Sequence, residues 1–215
     1  MKKIIQKPPE DYNSSAKYYD PVLNPFVNHI RRSVTKWVIL NQPENILDIG
    51  CGTGKQISLF PKNMKIIGVD LSLAMLQIAE KQVAGKCIRG DATNLPFRDN
   101  GFDLIISQFA LHEKTMDTIF AELREIQRLL KPGGKLLVVD FDFPDKQTLY
   151  SRFLKWGIML IEKLAGKEHF ANYKVWMNHG GLEKILAKVG WNMQENHHFY
   201  CGNVRMIIWK KSKDK

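Results

Sequence analysis

Cysteine is scarce in this 215-residue chain: Cys51, Cys87 and Cys201, with no paired spacing among them. Three cannot all pair, which excludes a disulfide framework and points to a reducing compartment, the cytoplasm. No stretch approaches the ~20 apolar residues that span a bilayer. The N-terminus, Met1-Lys2-Lys3-Ile4-Ile5-Gln6-Lys7, is basic, but Pro8, Pro9, Glu10 and Asp11 follow where a secretory leader needs an apolar run. Acids are the scarcer charge, 22 against 32 basic residues, and the formal net charge is +10. Much of the excess sits at the ends. Lys2, Lys3 and Lys7 stand at one; Lys210, Lys211, Lys213 and Lys215, against Asp214, stand at the other. Such runs read first as solvated tails, although the charge also permits attraction to acidic lipid or RNA. Internal repeats, low-complexity linkers and metal-ligand spacings are also missing.

What is present suits one domain: 44% of the residues are hydrophobic, enough for a full core. Residues 46–54 read Ile-Leu-Asp-Ile-Gly-Cys-Gly-Thr-Gly. Ile46, Leu47 and Ile49 look like a short buried strand. Gly50, Cys51, Gly52, Thr53 and Gly54 then form a turn that lets backbone approach a ligand closely. Lys55 to Phe60 are expected to open a helix whose amide end favours electron-rich groups. Ile66-Ile67-Gly68-Val69-Asp70 reads as a second strand ending in an acid. Asp70 stands 20 residues beyond Gly50, roughly where a carboxylate meets ribose hydroxyls in open α/β sheets. A dinucleotide fingerprint requires Gly-x-Gly-x-x-Gly. Here the spacing is Gly50-x-Gly52-x-Gly54, and Lys55 occupies the final position.

Strands and helices alternate along the chain, the pattern of a wound parallel sheet. Strands are predicted at 46–50, 65–69, 86–89, 103–107 and 134–140. Helices are predicted at 25–40, 55–60, 72–83 and 116–130, after an N-terminal arm over 1–17. Residues 141–176 break the rhythm as a lid-like insertion with a helix over 147–165. Within it Leu149, Phe153, Trp156, Leu160 and Leu164 share one helical face. Three readings of this stripe are open: core, a lid over a greasy acceptor, or a segment resting on an acidic membrane through Arg152, Lys155, Lys163 and Lys167. A further helix over 182–189 and a strand pair at 191–200 and 203–209 close the chain.

The motifs Tyr19-Asp20, Ile46 to Gly54, Val69-Asp70-Leu71-Ser72 and Gly90-Asp91-Ala92 occur in this order. Leu95-Pro96-Phe97, Phe102-Asp103 and Leu130-Lys131-Pro132-Gly133-Gly134 follow. Together they resemble the class I S-adenosylmethionine methyltransferases, and among them the ubiquinone/menaquinone C-methyltransferase-like group, from about Tyr18 to Trp209. The resemblance implies a Rossmann-like, mostly parallel seven-stranded sheet with helices on both faces and a C-terminal antiparallel strand. It implies S-adenosyl-L-methionine as cofactor and S-adenosyl-L-homocysteine as product. Asp48 would support the amino end of the ligand, beside Gly50, Cys51, Gly52 and Gly54. Asp70 would hold the ribose, and Leu71 would cover an adenine face. Asp91, with Ala92, would read the adenine amino group, or else cap a helix. Ser107 and Gln108 would line the methionine end, and Tyr19 would close over the ligand.

The cofactor carries the hard chemistry, so the protein must align donor and acceptor and exclude water. His112, at the carboxyl end of the fourth strand, is the candidate general base; its alternative is a capping or packed histidine. His169, Tyr173 and His179 lie in or just beyond the insertion and could reach the pocket, and His197 and His198 alternate on a late strand, a poor geometry for joint metal binding. No metal is expected. Base-directed enzymes of this type commonly carry an Asn/Asp-Pro-Pro-aromatic run where this chain has Ser107-Gln108-Phe109-Ala110, so nucleic acid is disfavoured. The expected acceptor is a small, apolar or aromatic, quinone-like molecule. A phospholipid headgroup, a nucleic-acid base and a non-catalytic partner subunit are the alternatives. Peripheral membrane contact stays open, as does the oligomeric state.

Overall fold

A computed structural model of the chain describes residues 11–211, with side chains from residue 26 onward. The elements run α1 (Asp11–Asn41), β1 (Asn45–Ile49), β2 (Lys65–Asp70), α2 (Leu73–Val83), β3 (Cys87–Arg89) and β4 (Phe102–Gln108). They continue with α3 (Met116–Leu129), β5 (Leu130–Phe141), α4 (Leu149–Leu164), α5 (Lys167–Asn178), α6 (Gly181–Ala187), β6 (Asn192–Phe199) and β7 (Val204–Lys210). The strands form one seven-stranded sheet in the order β3-β2-β1-β4-β5-β7-β6. β1 to β5 pair in parallel, while β7 runs antiparallel to both β5 and β6. This is the expected fold.

The strand order follows from burial. Parallel strands covered by helices on both faces need continuous apolar runs. Leu47, Ile49, Ile105, Ile106, Leu136, Leu137, Val138 and Val139 are all fully buried. Flanking helices supply the cover: Ile30, Val34 and Val38 from α1; Ile119, Leu123 and Ile126 from α3. Three helix starts, those of α2, α3 and α4, have side-chain caps. Ser72 Oγ accepts from Met75 N–H at 3.3 Å, Thr115 Oγ1 accepts from Thr118 N–H at 3.3 Å, and Thr148 and Ser151 form a reciprocal capping box.

β1, β2 and β4 lie in register, with Ile49 opposite both Val69 and Ser107. Their carboxyl ends therefore share one edge, and the turns leaving it carry the polar residues. Because the strand order reverses beside β1, this edge holds a crevice where open α/β sheets bind ligands.

Four local expectations need correction. Residues 55–60 form no α-helix; only a 3-10 turn spans Ile57–Leu59. Pro61 removes a backbone donor just beyond it, so six residues cannot propagate a helix. α1 begins at Asp11 rather than near residue 25, running through the stretch read as an arm. The insertion holds two helices, since Gly166 at φ 131° separates α4 from α5. Finally, the apolar stripe of α4 is not core. Leu149 is 85% exposed, Phe153 66%, Trp156 56%, Leu160 44% and Leu164 79%. α4 instead turns Ser151, Ile158 and Glu162 inward. Trp176, on α5, is the tryptophan of the insertion that is fully buried, and its Nε1–H donates to Phe141 O at 2.9 Å.

Candidate active site

A cavity of about 700 Å³ opens at the carboxyl edge of the sheet. That volume lies within the ~300–1,000 Å³ typical of small-molecule sites. Its floor is the glycine turn. Gly50, Gly52 and Gly54 all have φ between 53° and 74°, a region that side chains reach only with strain. Gly50 presses on the fourth-strand turn, where an added Cβ would lie 2.7 Å from Ala110 Cβ. A Cβ on Gly52 would meet nothing within 4 Å, because that side of the backbone faces the cavity. Cys51 is buried over Gly68, whose own Cβ would fall 2.8 Å from its sulfur. A hydrogen bond with Cys87 and burial both push the Cys51 thiol up, so it is packed and protonated, no nucleophile.

Three carboxylates stand at the carboxyl ends of the first three strands: Asp48 near the end of β1, Asp70 as the last residue of β2 and Asp91 just beyond β3. Asp48 is buried, and its Oδ2 has no hydrogen-bond partner among the described residues. Burial, reinforced by Asp70 and opposed by Arg31, pushes Asp48 up to about 7. A buried acceptor left unsatisfied is costly, so this oxygen is poised for a donor. Asp70 braces the turns around it, accepting from Gly52 N–H at 2.8 Å and Ser72 N–H at 2.8 Å. Burial raises its carboxyl, and those two N–H groups oppose the rise. Each of its oxygens keeps a second lone pair. Asp91 caps a turn rather than a helix. Its Oδ1 accepts from Thr93 N–H at 2.9 Å and Thr93 Oγ1–H at 2.7 Å. The loop that carries Asp91 is held from below by Arg128, which donates to Phe97 O at 2.8 Å and Leu95 O at 3.1 Å.

The far side of the cavity holds a buried chain of charges. Asp140, near the end of β5, accepts Leu111 N–H and His112 N–H on Oδ2, and its Oδ1 lies 2.7 Å from His112 Nδ1. His112 Nε2 is 3.2 Å from Glu162 Oε2 on α4, and the same oxygen is 2.6 Å from His169 Nε2 on α5. His169 Nδ1 in turn faces Glu113 at 3.6 Å. Burial pushes the His112 ring down, but Asp140 and Glu162 outweigh it, and the ring sits well above its usual 6.5. Burial pushes Glu162 up, but His112 and then His169 hold it down to about 2. The pair is thus an imidazolium beside a carboxylate. Phe109 makes the turn that delivers this segment, at φ 52° and with its N–H on Val139 O at 2.8 Å. A bulky residue in the left-handed region is strained, and such strain gathers at functional sites.

His112, Glu162 and His169 also have the donor types of a cation site, with ligand atoms within 4.8 Å of one another. The sequence, with these residues scattered over 58 positions from His112 to His169, gave no such spacing. The internal distances are those of hydrogen bonds, and a protonated His112 has no free lone pair to offer. The cluster therefore reads as a proton-holding network.

Asp48, Gly50, Cys51, Gly52, Asp70, Leu71, Asp91, Ala92, Gln108 and His112 line the cavity. Gly54 and Ser107 do not; Gly54 packs against Ala79 and Val83, and Ser107 is fully buried in the sheet. The side chain of Tyr19 lies outside the described residues. His179, His197 and His198 fall away from the cavity: His179 Nδ1 meets Val175 O, His197 meets Glu195 and His198 meets Asp145. Missing from the sequence reading are Arg31, Asp140, Glu162 and the Lys114–Glu122 ion pair that also lines the wall. A buried acid in an apolar helix was the available signal for Glu162.

The network carries a pH signature. Glu162 has its folded pKa below the usual 4.5, so its stabilisation is complete above 4.5 and is lost as pH falls through about 2. For His112 the sign reverses: its contribution is complete below 6.5 and is lost as pH rises through the raised folded value. Urea unfolding of the wild type from pH 5 to 2 should show an acid limb steeper than that of Glu162→Gln. The difference should be on the order of 3 kcal/mol. Parallel limbs would remove Glu162 from the charged network.

Comparison with known proteins agrees with this architecture. Residues 47–138 match the family model described as a methyltransferase domain. A demethylmenaquinone methyltransferase of Corynebacterium kroppenstedtii is 28% identical over 205 residues, covering 87% of this chain and 88% of the relative. One from Renibacterium salmoninarum is 30% identical over 173 residues, covering 75% and 72%. Among solved structures, an S-adenosyl-L-methionine-dependent methyltransferase described from Methanococcus maripaludis superposes with TM-score 0.63 at 20% identity, covering 99% of both chains. At that identity it speaks for the fold alone. The relatives' extent and identity, on top of the strand order and the glycine turn, show that the chain belongs to the class I methyltransferases, within the group that includes the demethylmenaquinone methyltransferases.

Proposed function

We propose that this methyltransferase uses S-adenosyl-L-methionine and acts on a lipophilic, aromatic, quinone-like acceptor. The observation that carries the reading is that one cavity runs continuously from the glycine turn and Asp70 to His112 and Glu162. The turn end fits the cofactor. The unsatisfied Asp48 oxygen suits a cationic amino group, Gly52 leaves open space, and Asp70 has lone pairs for the ribose hydroxyls. The other end mixes aromatic and aliphatic walls, Phe26, Phe109, Phe141, Ile158 and Ile161, with the charged network, as a flat apolar acceptor with a ring oxygen would require. The relatives' names give a quinone precursor as their acceptor, which supports the same class here. The three unpaired cysteines suit a reducing, cytoplasmic setting.

When bound, the cofactor supplies an electrophilic methyl group; the chain supplies position, dryness and proton handling. Aligning the two reactants can lower the barrier by about 7–11 kcal/mol. Glu162 faces the cavity as a carboxylate and would hold the acceptor's ring hydroxyl. His112, clamped between Asp140 and Glu162 as an imidazolium, keeps that carboxylate ionised and ready to accept. This is a positioning role, distinct from the base expected of His112. A proton leaving the acceptor then has the Glu162–His169 pair within reach.

The adenine end gives a separate test. Asp91→Asn preserves the Oδ1 that caps Thr93 but replaces the other oxygen with an amide donor. The ligand-free melting temperature should stay within a few degrees of wild type, while the shift produced by S-adenosyl-L-methionine should shrink severalfold. A lowered melting temperature with a full ligand-induced shift would restrict Asp91 to its turn. For the function as a whole, conversion of S-adenosyl-L-methionine to S-adenosyl-L-homocysteine should accelerate when a reduced, demethylated quinone is added. No acceleration across quinol acceptors would remove the acceptor class.

A further inference from the structure

The insertion helix α4 is built inside out. Its inward side carries Ser151 at 0%, Ile158 at 4% and Glu162 at 5% exposure. Its outward side carries Leu149, Phe153, Trp156, Leu160 and Leu164. At 100° per residue these five fall within an arc of about 80°. Tyr150, Met159 and Ile161 extend the apolar surface on either flank, all of them at least 37% exposed. The exposed charges on the helix are of one sign, Arg152 and Lys163; just beyond its end the exposed Lys167 is followed by the exposed acid Glu168. Its single acid, Glu162, is buried in the histidine network.

Water is a poor environment for such a face, since each large apolar side chain left exposed forgoes the free energy of its burial. A second copy of the chain is a poor cover. A two-fold contact through this face would bring the same cationic rim against itself. An apolar stripe of Leu, Phe and Trp edged along its Trp156 side by Arg152 and Lys163 suits the headgroup–acyl boundary of an anionic bilayer. The same helix also lines the cavity, through Ile158, Ile161 and Glu162, with Ala165 just past its end. We propose that the outward face of α4 docks on an anionic phospholipid surface, placing the cavity wall where a lipophilic acceptor can enter from the bilayer. The route of entry rests on the acceptor class proposed above; the docking itself does not.

The experiment uses the full chain and vesicles of phosphatidylcholine with or without phosphatidylglycerol. Trp156 is a built-in probe: it is 56% exposed, whereas Trp37, Trp176, Trp191 and Trp209 are buried. Anionic vesicles should sediment the protein and blue-shift its emission, and added salt should weaken both effects. Trp156→Phe should keep the binding but lose the shift. Phe153→Ser with Leu149→Ser, at positions exposed enough to spare folding, should weaken vesicle binding at least tenfold. Turnover of a short-tailed, water-soluble quinol should be unchanged in that variant. Wild type that ignores anionic vesicles would overturn the proposal. So would vesicle binding that the double variant retains and removal of residues 212–215 abolishes, which would assign it to the lysine tail. Trp156 emission already blue-shifted without vesicles would show the face covered by the chain itself or a second copy, and would overturn it equally. Wild type that turns over the soluble quinol but never binds anionic vesicles refutes docking alone; wild type that binds the vesicles but turns over no quinol refutes the acceptor class alone.

Discussion

Asp70→Ala is expected to leave a folded chain whose affinity for S-adenosyl-L-methionine is at least ten- to a hundredfold lower. The carboxylate stands at the end of β2 with Gly52 N–H and Ser72 N–H already on it, at 2.8 Å each. Those bonds fix the carboxylate in the cavity wall. A hydrogen bond to a charged acceptor contributes about 1.5–3 kcal/mol, and each 1.4 kcal/mol is about tenfold in affinity. Alanine also frees the Gly52 turn, so the loss should exceed that of a single bond. Asp70→Asn separates the two effects. It keeps one acceptor oxygen for the backbone and should lose less. Calorimetric titration beside thermal melting decides the matter. A folded Asp70→Ala variant with unchanged affinity would place the ribose elsewhere.

Glu162→Gln is expected to lower turnover by about 10²–10⁴, the range for losing a positioned proton-transfer group, while S-adenosyl-L-methionine affinity changes by no more than a few fold. The glutamine amide fills the same space but cannot hold an ionised oxygen between His112 Nε2 and His169 Nε2. A merely structural role would leave the pH dependence of the surviving activity unmoved. The network account requires it to shift, because His112 loses one of the two carboxylates that keep its ring protonated. Steady-state rates across pH, fitted for wild type and variant, give the comparison. Coincident profiles with a small rate loss would exclude Glu162 from the chemistry.

The two ends of the site differ in how far the sequence discloses them. The glycine-turn end was legible because its parts are local. A strand, a glycine turn and an acid at the next strand's end are read within 25 residues, from Ile46 to Asp70. Parallel register then forces those ends onto one edge. The histidine network is nonlocal: Asp140, His112, Glu162 and His169 come from β5, the turn after β4, α4 and α5. Nothing along the chain links them, and only the folded insertion brings Glu162 to His112. α4 also shows where periodicity misleads. Its hydrophobic spacing is that of a core helix, and amphipathicity fixes which residues share a face without fixing which face points inward. A buried ion network claimed the inner side. Residues 55–60 failed for the opposite reason, a helix start inferred from the glycine turn although Pro61 leaves no length to propagate. Pro21 and Pro25, within α1, argue by propensity against the helix that runs through them.

Mass spectrometry of the acceptor reads methyl transfer from S-adenosyl-L-methionine to a lipophilic quinol without an intermediary. The chain is incubated with S-adenosyl-L-methionine carrying an isotopically labelled methyl group and a demethylated menaquinol in anionic vesicles. The expected product is a quinol that gains one labelled methyl, formed in step with S-adenosyl-L-homocysteine and suppressed in Asp70→Ala and Glu162→Gln. Labelled methyl arriving on phospholipid headgroup or nucleic acid in place of the quinol, or an S-adenosyl-L-methionine-bound protein that leaves every quinol unlabelled, would contradict that transfer.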